Sequence, residues 1–197
     1  LEFRRVLFRS IHLAALVSVQ ESRHDPALNF RLNLQASHFV AEAARAHAVP
    51  RVVFASSAAI YGDDAPLPIT EEAAKRPISP YGAAKLASEA LLLGHASSFG
   101  FTVRCQRYFN VYGPRQDPAS PYSGVISIFN RRFRAGQAAS VYGDGEQTRD
   151  FISVHDVAAA NVLAATRPGL ISGAVNICTG RGDRKSTRLN SSHTDIS

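Results

Sequence analysis

The run RVVFAS at 51–56 is apolar, rich in β-branched residues and free of polar alternation. A strand with one face in water alternates, whereas a strand covered on both faces does not. This stretch therefore asks for a helical layer above and below it, which means an α/β fold with a largely parallel sheet. The rest of the chain keeps that rhythm. IHLAAL (11–16) reads as the end of a second buried strand, TVRCQRYF (102–109), VYG (141–143) and AVNICTG (174–180) read as others, and FISVHDVAAANVLAAT (151–166) is strand-like at its start. A helix opens at Asp25-Pro26, where Asp caps free N–H groups and Pro suits the first turn. It is expected to run to about Ala48, with Phe30, Leu34, Phe39, Val40, Ala43 and Ala44 as its apolar side. A second helix is expected from Ser79 to about Ser98, a third over 123–135 and a fourth after His155. Residues 62–78, with Asp63, Asp64 and three prolines, read as a surface loop.

Charge excludes one class of partner. The formal net charge is +6, but residues 1–10 carry +2 and residues 181–197 carry +2. The body between them is close to neutral and has no basic face interleaved with aromatics, so no nucleic acid is expected. No apolar run reaches the length of about 18 residues that spans a membrane, and a cytoplasmic protein is expected. Cys105 and Cys178 match no metal-ligand spacing, and no Cys/His cluster exists, so no metal is expected and both thiols read as free.

In open α/β sheets ligands bind beyond the carboxyl ends of the strands. Ser56 and Ser57 end one strand, and Asn110 follows another. Tyr81 and Lys85 stand four apart at the start of a helix and so share one of its faces. A tyrosine is a very weak base near neutral pH, and a nearby cation favours its phenolate. A pair of this kind is also what an ordinary surface helix shows. The strand-end serines can likewise do no more than satisfy backbone groups.

Four segments taken in order carry more weight: FASSAAIYG (54–62), SPYGAAK (79–85), QRYFNVYGPRQDP (106–118) and VYGDGEQTRDF (141–151). Together they resemble the extended short-chain dehydrogenase/reductase family, and within it the nucleotide-sugar epimerases and dehydratases. The resemblance covers about residues 11–182. It implies a Rossmann-like, doubly wound parallel sheet and NAD as cofactor. It implies Tyr81 as general base and acid on a sugar hydroxyl, Lys85 as the group that holds the nicotinamide ribose and lowers the tyrosine pKa, and Ser57 as a hydrogen-bond partner of the same sugar oxygen. Ala14, Ala15, Ala55, Ser56 and Tyr108 match positions beside the cofactor. Phe109, Asn110, Tyr142 and Arg149 match positions that meet a nucleotide sugar, with Arg149 suited to a phosphate. The resemblance also implies a homodimer through the helix of Tyr81, for which Leu86, Ala90, Leu91 and Leu93 offer apolar surface, although the same side chains read equally well as core.

Two departures sharpen this picture. Family dehydratases carry an acidic residue two to three positions before the tyrosine of the strand-end motif; here those positions are Ala58 and Ala59, and methyl groups do no acid–base work. The expected activity is therefore a 4-epimerase acting on a UDP-hexose or UDP-N-acetylhexosamine. The alternatives are an inactive fragment of such an enzyme, or a reductase or dehydratase of the same family. The second departure is the Gly-x-x-Gly-x-x-Gly turn that receives a pyrophosphate, a spacing that none of the 13 glycines shows. The chain is thus expected to begin near the family's fourth strand. LEFRRVLFRS and the Ser-rich end resemble translated adapter or vector sequence, so 1–10 and 183–197 are expected to be non-native tails. The expected division is a partial NAD-binding domain over 11–120 and part of a small C-terminal substrate-binding region over 121–182.

Overall fold

The computed structural model describes residues 8–116, 124–138 and 147–184. In chain order the elements are β1 (Arg9–His12), α1 (Val19–His24), α2 (Pro26–Asn29), a π-helical segment (Phe30–Gln35), α3 (Ala36–Ala46), β2 (Arg51–Ser57), a 3₁₀ turn (Ala58–Ile60), α4 (Pro80–Phe99), β3 (Thr102–Tyr108), β4 (Asn110–Tyr112), α5 (Val125–Arg134), β5 (Thr148–Arg149), β6 (Phe151–Ser153), α6 (Val154–Thr166), β7 (Gly173–Ile177) and β8 (Asp183–Arg184). The chain clusters into two units, Leu1–Tyr108 with Ala159–Asn176, and Phe109–Ala158 with Ile177–Ser197. The chain thus leaves the first unit after β3 and returns to it in α6.

The first unit holds a four-stranded sheet in the order β1-β2-β3-β7. β1 pairs in parallel with β2, and β2 with β3, in a register that sets Ser57 beside Tyr108 at the carboxyl ends. Val52 and Phe54 point to one face, where Val103 and Cys105 join them against Ala41 and Ala44 of α3 and Leu92 and Ala96 of α4. Val53 points to the other face and packs on Ala164 and Ala165 of α6. That double cover is why 51–56 lacks alternation. Burying each large apolar side chain here stabilises the fold by roughly 1.5–3 kcal/mol. The architecture is the Rossmann-like, doubly wound sheet that the sequence predicts.

Three local expectations shift. β1 starts at Arg9, so the strand pairs through two residues of the expected N-terminal tail, and 13–16 leave the sheet. The helix from Pro26 does form, but Phe30 and Phe39 are exposed while Asn33, Ser37 and Ala41 are buried. The π-helical turn at Phe30–Gln35 widens the local period, so of the expected apolar side Val40 and Ala44 reach the core while Phe30 and Phe39 do not. Leu91 and Leu93 pack against the core cluster, and Ala90 is exposed.

α4 is well delimited. Ser79 caps it by accepting from Gly82 N at 3.1 Å, Pro80 opens it, and Gly100 ends it at φ 75°. Within the second unit, β4 pairs in parallel with β6, and β5 antiparallel with β8. No helix among the described residues is long and apolar enough to cross a membrane.

Candidate active site

Ser57 ends β2, and its hydroxyl oxygen accepts from Ala59 N at 3.2 Å, turning the chain into the 3₁₀ segment. α4 begins against that turn. A Cβ at position 82 would lie 2.6 Å from Ala59 O, so only glycine lets the helix approach so closely. This close approach brings the Tyr81 phenol beside Ser57, whose side chain favours the ionised phenol. The start of α4 is held from the other side as well. Tyr81 N donates to Ser22 Oγ at 3.2 Å, and Asn29 Nδ2 donates to Pro80 O at 3.0 Å. Asn33 steadies Asn29 through a 2.7 Å bond and clasps both backbone groups of Leu16. Ser22, Asn29 and Asn33 are buried polar residues that no sequence period marks; their only signal is their presence on an otherwise core-facing side.

One turn along α4, Lys85 is 3% exposed. Its Nζ donates to Ala55 O at 2.8 Å and lies 4.9 Å from the Phe54 ring centre and 5.8 Å from that of Tyr81. Burial pulls its pKa from 10.5 down to about 8. Burial also raises the Tyr81 phenol above its ordinary value, with the neighbouring Ser57 side chain opposing. The expectation that Lys85 lowers the tyrosine pKa is thus corrected for the chain by itself: desolvation of the phenol dominates. His12, at the end of β1, is kept neutral-leaning by burial and then by Lys85, and its Nε2 lies 3.2 Å from Ser37 Oγ.

Ser57, Tyr81, Lys85 and Ala55 therefore meet at one strand end. A phenol, a hydroxyl and a desolvated cation so arranged can exchange a proton with a substrate hydroxyl and hold a polar ligand. A model of the NAD dependent epimerase/dehydratase family matches residues 10–178. The chain belongs to this family. The UDP-glucose 4-epimerase of Mycolicibacterium smegmatis is 38% identical over 178 residues, which is 90% of this chain and 56% of that protein. The structure of UDP-N-acetylglucosamine 4-epimerase from Methanobrevibacter ruminantium M1, in complex with UDP-N-acetylmuramic acid, superposes with a TM-score of 0.90 at 38% identity. It is covered to 60% by 95% of this chain. The UDP-glucose 4-epimerase of Thermus thermophilus, in complex with NAD, gives a TM-score of 0.82 at 38% identity, with 92% of this chain on 60% of that one. The chain thus spans a little over half the length of these relatives.

The remaining expected residues of this epimerase/dehydratase chain are less gathered. Ala14 is exposed and Ala15 half-buried just after β1. Ser56 is buried, and its hydroxyl has no hydrogen-bond partner among the described residues. The Tyr108 phenol donates to Asn161 Oδ1 at 2.9 Å, so its O–H is already engaged within the chain. In the second unit, Phe109 N donates to Ile177 O, and Asn110 Nδ2 donates to Asp150 O at 3.0 Å. Arg149 is exposed and bonds Thr148 O. The Asp150 carboxylate accepts instead from Thr179 and Arg181 N. A cavity of about 520 Å³ there is lined by Tyr112, Phe151, Thr179, Arg181, Gly182 and Asp183. Tyr142 lies outside the described residues.

One cluster is absent from the sequence reading altogether. Arg107 of β3 binds both carboxylate oxygens of Glu89 of α4, Nε at 3.0 Å and Nη2 at 2.8 Å. Its Nη1 also donates to Tyr61 Oη at 2.8 Å and Glu71 O at 3.2 Å. The Tyr61 hydroxyl donates a hydrogen bond to Asn176 Oδ1, while Asn176 holds Glu71 and Ile69. The 62–78 segment, expected to be a plain surface loop, is therefore anchored mid-span to the sheet.

Proposed function

We propose that this chain carries the reaction centre of an NAD-dependent nucleotide-sugar 4-epimerase acting on a UDP-hexose or UDP-N-acetylhexosamine. The observation that carries the reading is the buried Lys85 on the Ala55 carbonyl, with Tyr81 and Ser57 beside it, followed by two methyl side chains where a dehydratase would need an acid. The relatives named for 4-epimerase activity support it.

The residues present fit the nicotinamide end of a cofactor. Lys85 is a desolvated cation that pairs with no carboxylate among the described residues, and the buried Ser56 hydroxyl lacks a partner among them. Lys85 would hold the ribose, with Ala55, Ser56 and the Tyr108 main chain beside it. Bound NAD supplies the hydride acceptor and donor that the side chains lack, and a positive charge beside the phenol. Tyr81 takes the proton of the sugar 4-hydroxyl as the carbon is oxidised to a ketone. It returns the proton once the ketone has been reduced from the other face. Ser57 holds the same oxygen throughout. Because the phenol of the chain alone sits above its ordinary pKa, base function requires added positive charge at the site. Ala58 and Ala59 leave no group to remove a C5 proton, so elimination does not compete. Asn110 and Arg149 are proposed to meet the nucleotide diphosphate, and Phe109 and Tyr142 the sugar and base.

A second reading is favoured by one specific observation, the span of 56% to 60% of the relatives: the chain binds NAD too weakly to turn over. Dialysis against NAD and an assay for UDP-glucose to UDP-galactose conversion separate the two. On the first reading both signals appear, and Tyr81→Phe lowers kcat by about 100-fold or more while nucleotide binding persists. Turnover by Tyr81→Phe at the wild-type rate would remove the tyrosine from the mechanism.

A further inference from the structure

Lys85 and Glu89 stand four residues apart on the inner face of α4, and both are 3% exposed. Oppositely charged side chains at that spacing are neighbours and ordinarily pair, the more so where water is scarce. Here they do not pair. Both Glu89 oxygens are taken by Arg107, at 3.0 and 2.8 Å, and Lys85 turns to the Ala55 carbonyl at 2.8 Å. We propose that Arg107 is a positioning residue for Lys85: by occupying both oxygens of Glu89 it keeps that carboxylate off the lysine and leaves the ammonium group for a ligand at the strand end. The fork geometry matters, because a guanidinium alone among side chains can occupy both oxygens of a carboxylate from one side. Tyr61 and the Glu71 carbonyl fix the remaining Nη1 donor, so the guanidinium cannot swing away.

The surroundings of Lys85 agree. The groups set against it are His12 from β1, the Ala55 carbonyl and the Phe54 ring from β2, and Tyr81 from its own helix, while Glu89, one turn further along that helix, is held by Arg107 of β3. Burial alone accounts for the depressed titration of Lys85, with no carboxylate raising it. What Lys85 serves rests on the epimerase reading above; the electrostatic separation of Lys85 from Glu89 does not.

The test reads Lys85 directly, without cofactor. The chain has three lysines, so ¹³C-lysine labelling gives few signals, and Lys85→Met assigns the one of interest. Wild type is expected to titrate near pH 8. Arg107→Gln frees Glu89 and should raise that midpoint by about one pH unit or more. Arg107→Lys, which keeps a cation but releases one carboxylate oxygen, should give a smaller rise, and serves if the glutamine variant fails to fold. Adding Glu89→Gln to either should return the midpoint toward that of wild type. An unchanged midpoint in the Arg107 variants overturns the proposal, as does a rise that survives removal of Glu89. Loss of NAD binding by the wild-type chain would count against the epimerase reading alone.

Discussion

Lys85 and Arg107 are both cations buried beside the same strand end, and the molecule treats them in opposite ways. Arg107 meets two carboxylate oxygens, a phenol and a carbonyl. Burial works against its charge, yet Glu89 and Tyr61 more than offset this and hold its pKa above the ordinary value. Lys85 meets one carbonyl and two ring faces, and burial pulls it down to about 8. A buried charge is expensive unless paired and hydrogen-bonded. The paired cation, with four hydrogen bonds, joins α4, β3 and the 62–78 segment into one frame. The under-satisfied one sits where that frame opens, and its cost is of the kind that functional sites carry.

The largest effect should come from breaking the satisfied region. Glu89→Leu leaves the guanidinium buried without its counter-charge and is expected to cost about 3–5 kcal/mol in chemical denaturation. The double replacement Arg107→Met with Glu89→Leu should recover most of this, because removing both charges leaves no orphan. A loss below about 1 kcal/mol for the single variant would mean that the network is not the frame described here.

The unsatisfied region predicts the opposite sign. The folded pKa of Lys85 lies below its unfolded value of 10.5, so the unfolded chain binds more protons between about pH 8 and 10.5. Its contribution to stability therefore rises with pH through that window, and the full penalty applies below it. Cys105 and Tyr81 are raised, so their contributions are lost with rising pH only above their ordinary values of 9.0 and 10.0. That leaves pH 8 to 9 for Lys85. Lys85→Met should stabilise the fold by up to about 3 kcal/mol at pH 7 and abolish the rise between pH 8 and 9. Parallel melting curves for the two proteins across that window would erase the contrast with Arg107.

This contrast was only half legible in the sequence. The run at 51–56 announced a doubly covered strand, and Ser79-Pro80 announced the helix that carries Tyr81 and Lys85, because strand cover and helix caps act over a few residues. Ser57 could be placed because a strand end is a local feature. The Arg107 network could not. Its contacts join residues 18, 46 and 115 positions apart, and no period links such partners. The apolar side expected at Phe30 and Phe39 failed for a related reason, since a π turn alters the period from which the side was read. Arg149 could be located but not joined to an anion, because its present partner is the carbonyl of its own neighbour.

The smallest expected effect tests whether the strand end is tuned as well as unsatisfied. Ser57→Ala removes the one neighbouring group that lowers the Tyr81 phenol against the burial that raises it. The phenol should therefore titrate higher still, which difference ultraviolet titration can follow, with Tyr81→Phe identifying its signal among the six tyrosines. Stability should fall by only about 1 kcal/mol, since the same hydroxyl also accepts from Ala59 N in a half-buried turn. The Lys85 ammonium is bonded to the Ala55 carbonyl and not to Ser57, so its midpoint near pH 8 should not move. If Lys85 moved together with Tyr81, the two would be a single coupled pair, and the separation drawn here between a tuned phenol and an independently exposed cation would have to be given up.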